Sequence, residues 1–200
     1  SQRLINLEDE ILSNFKNSND TTGNLIIKIP HTVATYYLPP IIKEFQTKYP
    51  NIGFDFDACV GFNVYDMFNA GLIDIAFLIH NNYQDNLLFV EELVDVELVF
   101  VANSEYDVSI NSINDFSSKT LLLSKSDCSY RMIFEKMLIE ANVKLSKKIE
   151  LNSPEAVKNL VLSGYNGIAL LPKIGVCNEL ENGLLKNIKW NGSELNAKLY

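Results

Sequence analysis

An α/β fold of two lobes facing each other across a cleft is what this sequence predicts, and three observations predict it. The stretch from Leu25 to Phe56 reads as strand, abrupt turn, helix and strand. The stretch from Thr120 to Leu151 repeats that order. Short apolar runs then go on alternating with helical stripes as far as Leu171, which is the pattern of largely parallel sheets covered by helices.

Residues 1–16 carry Leu4, Leu7 and Ile11 at alternating steps of three and four, with Ile5, Leu12 and Phe15 beside them. That spacing is a coiled-coil-like seam, or a plain amphipathic helix folded onto the core. Asn17 to Gly23 is polar and turn-rich, and reads as a linker. Leu25, Ile26, Ile27 and Ile29 form a first strand that Pro30 ends. His31 and Thr32 then stand where a helix N-cap belongs. After a turn marked by prolines, Ile41, Ile42, Phe45 and Tyr49 repeat at helical spacing up to Pro50, and Ile52, Phe54 and Phe56 alternate as a half-buried strand does.

Val64, Met67 and Phe68 give a short helical stripe ending near Gly71, Ile73 to Leu78 a buried strand, and Leu98 to Ala102 another. Asn103 to Lys119 is polar, with a weak helical turn at Ile113 to Phe116, and marks the passage between lobes. In the second unit Thr120 to Leu123 is the strand, and Tyr130, Ile133, Phe134, Met137, Leu138 and Ala141 share one helix face. Lys148 to Leu151 follows as a strand. Ser153 has the setting of an N-cap with Pro154 at N1, and Gly164 stops the helix that carries Val157 and Val161. Gly167 to Leu171 is a buried strand, Pro172 to Glu181 a short helix, and Leu184 to Ile188 with Leu195 to Tyr200 a last strand pair.

Composition narrows the function. The 17 basic residues are scattered and the net charge is −8, so this stretch does not grip nucleic acid, which needs clustered Lys and Arg. Cys59, Cys128 and Cys177 lack any CxxC or Cys/His spacing, which favours a reducing compartment and no metal site. No apolar run approaches membrane-spanning length, and the start carries no basic region followed by an apolar core, so the expected location is the cytoplasm. His31 and His80 accompany no nucleophile, P-loop or paired-glycine fingerprint, and the expectation is a protein without catalytic activity or cofactor.

Several phrases resemble one family in order and wording. They are Thr32 to Pro40, Phe45 to Ile52 with its YPNI, NAGLIDIAF at Asn69 to Phe77, LNSPEAVKNLVLSG at Leu151 to Gly164, and GIALLP at Gly167 to Pro172. Over about residues 24–190 the chain resembles the effector-binding domain of LysR-type transcriptional regulators. The resemblance implies two Rossmann-like lobes with a ligand cleft between them, a type 2 periplasmic-binding-protein-like fold, preceded by a linker helix. It implies residues 1–23 as the end of that helix and its linker, 24–102 with 179–200 as lobe I, and 103–178 as lobe II. It further implies a small-molecule effector, a small organic anion by expectation; a homodimer or higher homo-oligomer; and DNA contact only through a winged helix-turn-helix outside these residues. A solute-binding protein of a transport system shares the fold and is the alternative.

The same resemblance carries the site. Thr32 matches a position whose hydroxyl meets the effector, with Val33 supplying a backbone N–H; the plainer reading is that Thr32 only caps its helix. His31 is a contact or a structural hydrogen-bonding group. Gly61 and Phe62 fall in a second contact turn, where Phe62 walls a pocket or belongs to the core. Across the cleft, Cys128, Ser129 and Tyr130 match the answering loop, with Ser129 the expected donor and Cys128 lacking a partner that would activate it. Arg131 balances an anionic effector or is a solvated first-turn charge. Gly164 to Gly167 is one residue longer than the family's Gly-x-Gly.

Overall fold

A computed structural model describes residues 21–58, 64–125, 128–192 and 195–200. The expected helix at 1–16 and the turn holding Gly61 and Phe62 lie outside the described residues. Two sheets organise the rest. In the first, β1 (Gly23–Ile29) lies between β2 (Ile52–Ala58) and the two-residue β3 (Ile75–Ala76), all parallel. The second has the order β4–β10–β5–β8–β6–β7, with β9 also on β5. Its strands are β4 (Ile79–His80), β5 (Val94–Asn103), β6 (Thr120–Ser124), β7 (Lys147–Leu151), β8 (Ile168–Pro172), β9 (Leu185–Ile188) and β10 (Asn196–Leu199). The helices are α1 (Leu38–Lys48), α2 (Val64–Asn69), α3 (Ser129–Glu140), α4 (Pro154–Leu162) and α5 (Cys177–Glu181).

Strand β5 joins the two parts of the second sheet. Its start pairs with β10 from Val94 to Glu97, and its end pairs with β9 from Phe100 to Asn103, while β8 runs along its other edge. The final two strands are therefore both antiparallel to β5, not a pair with each other. Parallel pairing is kept where the helical crossovers are, at β1–β2, β1–β3, β6–β7 and β6–β8. Every residue of β8 is buried, as a continuous apolar strand covered on both faces should be. Behind it Phe100, Phe116, Phe134 and Trp190 pack edge-on and tilted, with Phe100 and Phe134 centroids 5.0 Å apart. Each such ring contributes roughly 1.5–3 kcal/mol by burial.

Two sequence expectations change here. The strand read as Ile73 to Leu78 is cut to Ile75–Ala76 in the first sheet, and a separate strand just beyond it, Ile79–His80, joins the second, because the chain leaves one sheet to reach the other. Helical structure also begins at His31, not after the prolines, and Thr32 already has helical φ −59° and ψ −44° with no side-chain capping bond. Residues Val33–Tyr37 form a π-helical turn in which the Leu38 N–H reaches the Val33 carbonyl. Pro39 and Pro40 have no N–H to give to the preceding turn, and widening it keeps their rings off its carbonyls. Two other expectations meet their geometry directly: the Ser153 hydroxyl accepts from Ala156 N at 3.2 Å, and Gly164 has φ 87° at the end of α4.

Candidate functional site

The first-sheet half supplies Thr32. Because it sits inside the helix and not at its cap, its hydroxyl is not spent on the helix's own N–H groups; the side chain is buried, 3% exposed. Val33 is buried beside it, whereas His31 points to solvent and Thr35 Oγ donates to its carbonyl at 2.8 Å.

The second-sheet half answers with the end of β6 and the start of α3, the carboxyl end of a parallel strand where open α/β sheets bind ligands. Tyr130 is 3% exposed and Ser124 is 5% exposed. The Tyr130 hydroxyl lies close enough to Cys128, Ser124 and Thr32 for each to influence its ionisation. Yet neither it nor the Ser124 hydroxyl completes a hydrogen bond among the described residues. Burial, followed by the neighbouring Cys128, pushes the Tyr130 phenol well above its ordinary value, so it stays a neutral donor. Burial likewise raises the Cys128 thiol, although Ser124 and Tyr130 and the N–H groups of Tyr130 and Arg131 pull the other way. A thiol held protonated is a poor nucleophile.

Arg131 differs from both of its sequence readings. The side chain is 4% exposed, and its guanidinium donates to the Ser124 carbonyl at 2.6 Å, to Glu135 at 2.8 Å and to Glu150 at 3.1 Å. It is neither a solvated charge nor free to meet an effector. Instead it fixes the strand end that carries Ser124. Hydrogen bonds from Arg131 and then Lys148 hold the Glu150 carboxyl at about 2, below the usual carboxylate range.

The structure thus brings Thr32, Tyr130 and Cys128 together and adds Ser124, which sequence reading left out. Its signal was its place as the last residue of an apolar strand, LLLS. Ser129 is half-buried in the first turn of α3, and the group that reaches toward Thr32 is its neighbour Tyr130. Among the described residues no cluster of three or more His, Cys, Asp or Glu could hold a metal ion, and no helix is long and apolar enough to cross a membrane.

The model of the LysR substrate binding domain matches residues 18–200. The chain belongs to that family. It is 31% identical over 194 residues to the uncharacterized HTH-type transcriptional regulator YwqM of Bacillus subtilis, an alignment covering 95% of this chain and 66% of that one. With the regulator GltR of the same organism it shares 24% over 196 residues, 94% of this chain and 62% of the relative. The chain therefore spans less than two thirds of the length of these curated relatives. Among solved structures, the effector-binding domain of QuiR in complex with shikimate aligns with a TM-score of 0.69 at 19% identity, covering 90% of this chain and 86% of that one. The regulatory domain of CcmR from Synechocystis PCC6803, in complex with 2-PG, aligns at 0.72 and 18% identity, covering 89% and 86%. These likenesses establish the two-lobed, type 2 periplasmic-binding-protein-like fold of the LysR substrate-binding domain.

Proposed function

We propose that this chain is the effector-sensing domain of a LysR-type DNA-binding transcriptional regulator, acting in the cytoplasm and without catalytic activity of its own. A small organic molecule, with a small organic anion the favoured class, binds between lobe I (24–102 with 179–200) and lobe II (103–178). Its preference for one lobe arrangement is passed through a homodimer to a DNA-binding head outside these residues. The single observation that carries this reading is the pair of buried hydroxyls, Ser124 and Tyr130, the second of them close to Thr32, that complete no hydrogen bond among the described residues. Buried polar groups are nearly always paired, and an unpaired one costs about 1–3 kcal/mol, so such a pair is a natural place for a ligand oxygen. The relatives are HTH-type regulators, which favours this function over a solute-binding protein of a transporter. Helix α1 has no buried residue and leaves Ile41 55% exposed, an apolar face that suits the dimer contact.

The test uses Tyr130→Phe and Thr32→Val. A thermal-shift panel of small organic acids and amino acids, shikimate included, first finds a binder. In the ligand-free protein Tyr130→Phe removes a hydroxyl that completes no hydrogen bond among the described residues, so stability stays level or rises. Calorimetric affinity for the binder then falls by about 0.5–3 kcal/mol in each variant. A binder whose affinity is unchanged in both variants overturns the site.

A further inference from the structure

One helical turn beyond Thr32, Tyr36 reaches from the first-sheet half onto the second. Its hydroxyl donates to the Glu155 carboxylate and accepts from the Lys158 ammonium at 3.4 Å, with the Gly175 carbonyl also 3.4 Å away. Lys158 is itself fixed on the second-sheet side. It donates to the Gly175 carbonyl at 3.1 Å, pairs with Glu155 at 3.0 Å and Glu179 at 3.4 Å, and lies 5.8 Å from the centre of the Tyr36 ring. The ring rests on Gly175 so closely that an added Cβ there would stand 3.0 Å from it. Between Thr32, Tyr36, Pro154, Leu171 and Val176 the remaining cavity is about 10 Å³, too small for any effector.

We propose that Tyr36, Glu155 and Lys158 form a latch that holds the lobes closed along this edge of the cleft. Lobe opening must break it, and the same helical face carries Thr32. Tyr36 therefore sets how often the cleft opens, and with it how readily an effector enters and leaves. Both partner groups on the second half are charged, and a hydrogen bond to a charged group is stronger than a neutral one. Lys158 is only 12% exposed, which spares it much solvent screening, whereas Glu155 at 41% is screened more. Breaking the latch should raise the open-to-closed ratio roughly three- to tenfold.

The latch rests on the effector reading for its role, but its test runs on ligand-free protein. Cys128, beside Tyr130 in the cleft, is a native reporter of opening, and its alkylation by iodoacetamide is followed by peptide mass spectrometry alongside that of the half-buried Cys177 at the start of α5. At fixed pH, Tyr36→Phe should speed Cys128 modification roughly three- to tenfold and leave Cys177 within twofold of wild type. Gly175→Ala, which unseats the ring from the other side, should speed Cys128 by a similar factor. A Cys128 rate within about twofold of wild type in both variants overturns the latch, as does equal acceleration of both thiols in Tyr36→Phe, which reports general loosening. Neither result touches the Thr32 and Tyr130 affinity test, so a failed latch and a failed effector site give different outcomes.

Discussion

Replacing Arg131 with Met keeps a similar stem and removes the guanidinium. Its bond to the Ser124 carbonyl, at 2.6 Å and buried, is charge-assisted and contributes about 1.5–3 kcal/mol. Glu135 and Glu150 lose less, because their side chains are 33% and 40% exposed and rehydrate; each pair is worth under about 1 kcal/mol. Against these losses stands the cost of keeping a guanidinium dry, which the variant no longer carries. The balance is a destabilisation of roughly 2 kcal/mol, dominated by the carbonyl and not by the ion pairs. In urea, with a slope of about 2 kcal/mol/M, that moves the midpoint down by roughly 1 M at unchanged slope. Arg131→Lys should recover less than half of the loss, since one ammonium cannot span three acceptors set for a planar fork. A midpoint that Arg131→Met leaves within about 0.2 M of wild type would refute the assignment of Arg131 as the support of the β6 end.

Two further outcomes follow from single positions. The Glu150 carboxyl is held at about 2 in the fold, against 4.5 for the ordinary side chain, so the unfolded chain binds more protons in that window. Its contribution is complete above pH 4.5 and disappears as pH falls toward 2; half-exposed as it is, it amounts to about 1 kcal/mol or less, and urea midpoints of Glu150→Gln against wild type should converge over that range. Asp115, held below its ordinary value by N–H groups of Asn111 and Ser112, acts in the same direction and remains in both proteins. Gly167→Ala should cost about 1–3 kcal/mol, because the new Cβ would stand 2.7–2.9 Å from the Leu122 side chain, which is fully buried and cannot yield; a thermal midpoint unchanged within 1 °C would count against it.

The order of elements was legible because the chain keeps each local signal intact. Ser153 with Pro154 announces α4, Tyr130, Phe134 and Leu138 announce α3, and the all-apolar run at Ile168 announces β8. Sheet membership was not legible from Ile73 to His80, because one mostly apolar run feeds two sheets and periodicity records burial, not partner. In the site, Thr32, Cys128 and Tyr130 came forward through family phrases, but their relation did not. Ser124 looks like any strand-ending serine until β6 and α3 are folded together. Arg131 shows the same limit: its partners are four, seven and nineteen residues away, and only the last needs the β7 pairing to arrive.

The start of the helix after β1 explains why a capping threonine was the natural sequence reading and why it fails. From Ile41 onward the apolar repeat is regular, and counting it backward at 3.6 residues per turn meets Pro39 and Pro40 before reaching Thr32. A regular helix could not pass them without losing two donors and crowding two carbonyls, so the simplest prediction stops there. The π turn at Val33–Tyr37 takes another route, adding close to one residue and so shifting the phase of what precedes it by about 100°. Two faces are thereby set independently on one continuous helix. The outer turns leave Ile41 exposed, while the first turns bury Thr32 and press Tyr36 against Gly175. Converting the π turn to a regular one would have to move one face or the other, and π turns recur at functional positions for that physical reason: the irregularity uncouples what a helix must bury from what it must present.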